Sequence, residues 1–412
     1  LFMAESTLRS LPVSVKLAVL VAALGYFVDA FDLMLFSILR VQSLKDLGLE
    51  GEDLLAVGKD LINWQMWGLL LGGVLWGVLG DRIGRIQVLF GSILMYSLAT
   101  FLNGFVESVS QYAILRFIAG LGLAGELGGG VTLVAELLPK EKRGLGTTVV
   151  ATIGVSGVVA AGLIGKLFTW RYVYMLGGGM GFLLLLLRIG VSESGIFNSV
   201  KEKEVKRGDF FMLFTSYARF FRYLSCIAIA IPTWFLVGIL MTFCPEIGVA
   251  KGIVEPISTG DAFIWCYVGL TLGDLACGLI SQRLKSRKKA IILFLVGEFL
   301  SILCLFYVPI SEPWQFYALS VPAGFFVGYW VVFVTTAAEQ FGTNLRATVA
   351  TTAPNFVRAT TIPMVSAFVF FKGSGIGVLE SAAIVGLVSI TLGLIGAVKL
   401  KESFHLDLDY LE

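Results

Sequence analysis

Asp29 and Asp32 lie in the apolar run GYFVDAFDLMLFSI, and Arg358 lies in RATVATTAPNFVRATTIPMV. Arg116, Glu126 and Glu136 share YAILRFIAGLGLAGELGGGVTLVAELLPKEKRG, from Tyr112 to Gly144. A carboxylate or guanidinium at the middle of a bilayer costs about 3 kcal/mol or more, so each needs a counter-charge, water or a role. Acids and arginines at one depth can do two kinds of chemistry. An acid paired with an arginine binds and releases protons, and an arginine left free clamps an anion. The spacing of Asp29 and Asp32 puts both carboxylates on one face of a helix. At 1.5 Å per residue, Asp32 falls about 12 Å and Arg116 about 8 Å from the same end of their runs, so the two can pair. Arg358 falls about 18 Å along its run from Arg346, near the midplane, with Pro354 and Pro363 on either side to loosen the helix. It is the best candidate for a carboxylate clamp, with Asn355 and Phe356 beside it. The competing assignment for Arg358 is a structural partner of Glu339 or another acid, and for Asp32 and Arg116 a permanent salt bridge.

The elements that hold these residues are long and apolar. Of 412 residues, 57% are hydrophobic and 15% charged, with a mean hydropathy of +0.87. Soluble domains carry about 25% charged residues, so the chain is read as an all-α, multi-pass membrane protein. The apolar runs are continuous rather than alternating, which excludes a barrel. They fall at Val15 to Leu39, Leu61 to Leu79, Val88 to Phe105, Tyr112 to Leu138, Gly144 to Phe168 and Tyr172 to Leu187. They resume at Tyr223 to Phe243, Ala262 to Ile280, Ala290 to Ile310, Trp314 to Ala338, Ala347 to Phe371 and Val378 to Val398. Twelve spans follow, in an N-terminal half (1–190) and a C-terminal half (223–412) joined by a basic linker (191–222). The linker's end, FFMLFTSYARFF, reads as an amphipathic helix.

Lysines and arginines concentrate in the turns after even-numbered spans, at Arg82 and Arg85, Lys140 to Arg143, Arg283 to Lys289 and Arg346. The opposite turns hold few, Arg40, Lys45, Lys59, Arg171, Lys251 and Lys372. The bias puts both termini in the cytoplasm. GDRIGRIQ after span two is echoed by SQRLKSRKKA after span eight, and LPKEKRG after span four by FGTNLRA after span ten, which points to two halves in parallel orientation.

Other chemistries find little footing. The five cysteines are scattered through the second half without ligand spacing, and the one histidine, His405, is in a polar tail. No metal, cofactor, catalytic set or nucleic-acid surface is expected, and the chain is not read as an enzyme. The N-terminal stretch lacks a cleavable signal pattern. Gly120 to Gly125 spells GxGxxG, but no strand precedes it, and close helix packing accounts for those glycines better. Asp274 and Glu298 are further acids within apolar runs, without an assigned partner. Trp234, Tyr267, Tyr329 and Trp330 line a cavity or simply pack.

Gly77, Asp81, Arg82, Gly84 and Arg85 match G-x-x-x-D-R-x-G-R, the loop between spans two and three of the major facilitator superfamily, and the chain resembles that family. Arg116, Gly120, Gly122, Gly125 and Glu126 resemble span four of its sugar-porter and metabolite:proton-symporter branches, and Glu136 and Arg143 match the E…RG ending of that span. AFDLMLFSI resembles span one of the same branches, and the Arg358 segment resembles span eleven of the organic-ion branch. Of the sugar porters' P-E-S-P-R box only Glu193 and Ser194 are present.

The resemblance implies a twelve-helix transporter working by alternating access. Gly80, Asp81, Arg82, Gly84 and Arg85, with Glu136 and Arg143, would form a cytoplasmic latch. Asp32 and Arg116 would be the proton-sensitive pair, with Glu126 and Asp29 as further proton-coupling groups. Arg358, Asn355, Phe356, Tyr329, Trp330 and Trp234 would meet the substrate. The function expected is proton-coupled symport of a small anionic or zwitterionic metabolite by a monomer in a bacterial inner membrane. A sugar porter, an uncoupled facilitator and a proton-driven multidrug efflux antiporter are the alternatives.

Overall fold

The computed structural model describes residues 13–83, 85–137, 140–188 and 210–404, with side chains described outside 13–18, 80–86, 127–149, 343 and 347. The expected latch residues Gly80, Asp81, Arg82, Gly84, Arg85, Glu136 and Arg143 fall outside the described side chains, and most of the linker falls outside the described residues.

Before the linker the helices are α1 (Val13–Asp46), α2 (Gly51–Ile83), α3 (Arg85–Asn103), α4 (Val109–Leu137), α5 (Lys140–Leu167) and α6 (Trp170–Arg188). After it comes a short 3-10 turn (Phe210–Phe214), so the helix expected over FFMLFTSYARFF begins only at Tyr217, as the first turns of the next helix. Then follow α7 (Tyr217–Phe235), which continues as a π-helical turn (Leu236–Met241), α8 (Cys244–Ala250), α9 (Thr259–Leu284), α10 (Arg287–Tyr307), α11 (Pro313–Val327) and α12 (Trp330–Glu339). The last are α13 (Thr343–Ala359), α14 (Thr361–Gly373) and α15 (Val378–Lys399). Among the described residues, nine helical segments are long and apolar enough to cross a membrane.

Two of the expected spans are broken helices. Trp314 to Ala338 is α11 and α12, interrupted at Gly328 and Tyr329. Ala347 to Phe371 is α13 and α14, interrupted at Thr360. The first break is held from outside the helix: Asp274 Oδ1 on α9 accepts the Val331 N–H at 3.2 Å, capping the buried start of α12.

Glycine seams bring helices to backbone contact. A β-carbon on Gly68 or Gly120 would collide with the Phe117 or Gln65 carbonyl oxygen, so α2 and α4 touch main chain to main chain. α9 and α11 repeat the arrangement, with Gly273 against Phe325 and Gly324 against Cys266. Such seams suit a membrane, where close van der Waals approach replaces hydrophobic driving force. Helices from the two parts of the chain also meet: α5 packs on α9, and α2 and α4 pack on α13. Large apolar side chains such as Leu71, Leu186, Trp265, Leu279 and Leu387 face outward. That is the surface of a protein dissolved in lipid rather than water.

Candidate functional site

Three buried acid–arginine pairs occupy the interior where α1 meets its neighbours. Asp29, Asp32, Arg116 and Arg358 are all at most 2% exposed. Spans of this length leave no water at such depth except what the bundle encloses, so each charge must find its counter-charge inside.

The first pair is Asp32 with Arg116. Arg116 on α4 donates to Asp32 Oδ1 at 3.4 Å and to the Asp32 carbonyl oxygen at 3.3 Å. The Thr100 hydroxyl donates to Asp32 Oδ2 at 2.6 Å, so both carboxylate oxygens are engaged. The guanidinium also lies 5.5 Å from the Tyr174 ring centre. Tyr174 and Tyr112 share a hydrogen bond at 2.6 Å, and Tyr112 donates to Ser43 at 3.3 Å. The side-by-side depths expected from helix rise are thus realised in three dimensions.

The second pair joins Glu126 to Arg188. Arg188 NH1 donates to Glu126 Oε2 at 3.2 Å, and NH2 to Oε1. Arg188 is a functional-site candidate that sequence reasoning misses, because the sixth apolar run ends at Leu187 while the helix continues over Arg188. The pair lies against Gly25 of α1, where any β-carbon would strike both partners.

The third pair spans the two parts of the chain. Arg358 NH2 on α13 donates to Asp29 Oδ2 on α1 at 3.3 Å, and NH1 to Asn355 Oδ1 at 3.4 Å. The alternative partner named for Arg358, Glu339, is engaged elsewhere: Arg287 donates to both of its oxygens, at 3.3 and 3.5 Å. Asn355 Nδ2 donates to the Ala124 carbonyl oxygen of α4 at 3.0 Å, a second bridge from α13 to the early helices.

Around Arg358 the buried polar atoms are incompletely matched. Asp29 Oδ1, Arg358 Nε, Trp234 Nε1, Asp274 Oδ2 and Thr361 Oγ1 have no hydrogen-bond partner among the described residues. Tyr26 links them: Arg358, Asp274 and Asp29 act on its hydroxyl electrostatically and the Trp330 side chain lies against it. Trp330 packs on Trp234 with ring centres 6.4 Å apart. Buried polar groups are nearly always paired, and Arg40 Nε, Arg116 Nε and the Tyr96 hydroxyl are likewise unmatched among the described residues, so such atoms are spread through the interior rather than confined to Arg358.

The other aromatic candidates are committed to packing. Tyr329 donates to the Ile229 carbonyl oxygen at 3.0 Å and to Glu298 at 3.3 Å, beside the α11–α12 break. Phe356 sits 5.8 Å from Phe210 and 5.9 Å from Tyr223, on the side of α13 away from Asp29. Four of the five cysteines are buried, and no group of His, Cys, Asp and Glu able to hold a metal occurs among the described residues.

Arg40, read from sequence as a charge in a turn, instead lies within α1 and is fully buried. Its NH2 donates to both oxygens of Glu246 on α8, at 2.6 and 2.8 Å, and to the Thr242 carbonyl oxygen at 3.3 Å. Lys166 with Asp261, and Lys372 with Glu52 at 2.8 Å, are further ion pairs at this same end of the molecule. All three join helices before the linker to helices after it.

The fold and the sequence are similar to those of known proteins. A Bacillus subtilis protein named "Putative niacin/nicotinamide transporter NiaP" is 29% identical over 361 residues, covering 84% of this chain and 86% of its own. The sialic acid transporter NanX of Escherichia coli is 25% identical over 299 residues, 71% of each chain. The crystal structure of a D-xylose-proton symporter superposes with a TM-score of 0.71 at 17% identity, over 95% of this chain and 98% of that one, a likeness of fold. The model of the Major Facilitator Superfamily matches residues 22–359. With its broken and glycine-seamed membrane helices, and relatives that are membrane transporters rather than enzymes, the chain belongs to the Major Facilitator Superfamily.

Proposed function

We propose that the protein is a proton-coupled symporter of a small organic carboxylate, working by alternating access in a bacterial inner membrane with both termini cytoplasmic. The observation that carries this reading is Arg358, a buried arginine on α13 that meets Asp29 of α1 across the two parts of the chain. A guanidinium's planar fork suits a carboxylate. The relatives' names supply a second support, since niacin and sialic acid are both carboxylic acids, ionised at neutral pH.

Asp32 and Arg116 serve as the proton-sensitive pair. Protonating Asp32 removes the charge that holds Arg116, and the two states favour different packings of α1 against α4. Thr100 keeps a hydrogen bond to the acid in either state, because a hydroxyl both donates and accepts. The two halves, 1–190 and 223–412, rock about the buried pairs, and the α2–α3 turn serves as the cytoplasmic latch.

The test is flux into proteoliposomes under an imposed pH gradient, screened over organic acids, sugars and cations. Asp32→Asn is expected to abolish gradient-driven accumulation while sparing exchange; unimpaired accumulation removes Asp32 from the coupling role. Arg358→Ala is expected to impair anionic substrates selectively, and an equal loss for neutral ones argues against the clamp.

A further inference from the structure

The three buried pairs differ in what they join. Asp32–Arg116 and Glu126–Arg188 tie helices that all precede the linker. Asp29–Arg358 ties α1 to α13, and it holds the arginine proposed to receive substrate. A carboxylate arriving at Arg358 therefore meets one already there. The contact is a single one, at 3.3 Å against about 2.7–2.9 Å for a strong charge-assisted bond. Asp29 offers only one oxygen to the arginine, and the other has no hydrogen-bond partner among the described residues.

The surroundings decide what happens to Asp29 once Arg358 is taken. The groups that act on it are Arg358 on α13, Glu126 on α4, Asp32 and Tyr26 on α1, and Tyr96 on α3. Arg116 and Arg188 are spoken for by Asp32 and Glu126, and from α9 Asp274 and Tyr267 bring no positive charge. A displaced Asp29 carboxylate would thus be fully buried, under the influence of two other acids and with no free cation to hold among the described residues. An unpaired buried carboxylate takes up a proton rather than stay ionised.

We infer that the substrate's carboxylate replaces Asp29 on Arg358 and that the displaced Asp29 binds a proton on its free oxygen, so that anion and proton enter as one linked event. This rests on the carboxylate reading of the substrate. The exchange balances: Arg358 keeps its own proton and moves its N–H from Asp29 to the incoming anion. Asp29 becomes a neutral acid, and the net charge of the site is unchanged.

The test uses the full chain purified in detergent, with nicotinate and N-acetylneuraminate as probes and nicotinamide as the neutral control. Affinity is read from ligand-induced thermal stabilisation at pH 6, 7 and 8. Linked uptake predicts that carboxylate affinity in the wild type weakens by up to about tenfold per pH unit. Asp29→Asn, which frees Arg358 without adding charge, is expected to flatten that slope and to bind the carboxylate about tenfold or more tighter at pH 8. A slope that persists in Asp29→Asn overturns the inference. A slope that disappears in Asp32→Asn while persisting in Asp29→Asn overturns it too and leaves the Asp32 reading standing. Stabilisation by neither carboxylate at any pH overturns the inference together with the carboxylate reading. Should Asp29→Asn fail to fold, mixing Asp32→Asn with nicotinate in weakly buffered dye at pH 7.5 decides the matter. About one proton taken up per bound anion, with Asp32 unable to accept it, supports the linkage, and none overturns it.

Discussion

At the scale of single residues, the interior is organised by charges that cannot be left alone. Removing one member of a buried ion pair is far more damaging than losing the pair, by about 3–5 kcal/mol, because the survivor stays buried without compensation. Glu126→Gln is therefore expected to lower the melting temperature of the purified protein, with Arg188 stranded. The double variant Glu126→Gln with Arg188→Met should recover much of the loss; additive losses would mean that the two are not coupled. Gly25 gives an independent check. Ala at this position places its β-carbon against both Glu126 and Arg188, whereas Ala at Gly179 meets nothing within 4 Å. Melting should fall for Gly25→Ala and hold or rise slightly for Gly179→Ala, where a helical glycine is replaced at no steric cost. What sequence could show here was depth. Asp32 and Arg116 were placed together because helix rise puts them at one level. The partner of Arg358 was not legible, because Asp29 is 329 residues away and only packing brings α1 to α13. Arg188 and Arg40 were hidden for a plainer reason. Each lies just past an apolar run, where a charge reads as a turn, although the helix continues over it.

At the scale of elements, hydropathy marks apolar runs but not every interruption within them. Gly328 breaks a helix inside a run with no change in composition to announce it, whereas Thr360 lies between Pro354 and Pro363, which the sequence shows loosening the helix there. The break before α12 depends on Asp274, and a cap of this kind is worth about 0.5–2 kcal/mol. Asp274→Ala is expected to destabilise by about that amount, while Asp274→Asn keeps an acceptor for the Val331 N–H and should cost less; equal losses would show that the cap is not what holds the break. The start of α10 is capped from the far end of the chain. Glu402 accepts N–H bonds from Arg287 at 2.9 Å and Lys288 at 3.4 Å, and a hydrogen bond from Ser286. The turn between α9 and α10 lacks the aspartate found at Asp81, and the C-terminal segment supplies a carboxylate in its place. Burial pushes the Glu402 carboxyl up, but those bonds and the Phe404 N–H outweigh it and hold the group below its ordinary value. A depressed carboxylate stabilises the fold above its unfolded value, near pH 4.3, and the contribution is lost as pH falls through the lower folded value. Acid melting curves below pH 5 should therefore be shallower for Glu402→Gln than for wild type, and superimposable curves would remove Glu402 from the acid response.

At the scale of the whole molecule, the ion pairs that link early helices to late ones at the α1–α2 end bear on the proposed rocking motion. They differ greatly in weight. Lys372–Glu52 is a surface pair, its acid 90% exposed, and solvent screens most of its attraction. Arg40–Glu246 is another matter, since the arginine is fully buried, bonded to both carboxylate oxygens and stacked 4.6 Å from the Phe243 ring. Glu246→Gln would leave a buried guanidinium without its counter-ion in this arrangement, but not in one where the α1–α2 end parts and water reaches Arg40. A difference of about 3 kcal/mol between the two states shifts their ratio by roughly 150-fold. The expected outcome is faster hydrogen exchange in the α1–α2 turn and α8 of Glu246→Gln, with slowed net uptake, while Lys372→Gln leaves both near wild type. Exchange at that end no faster in Glu246→Gln than in Lys372→Gln would mean that the buried pair does not hold the two parts together, and the gate would have to be sought at the opposite end.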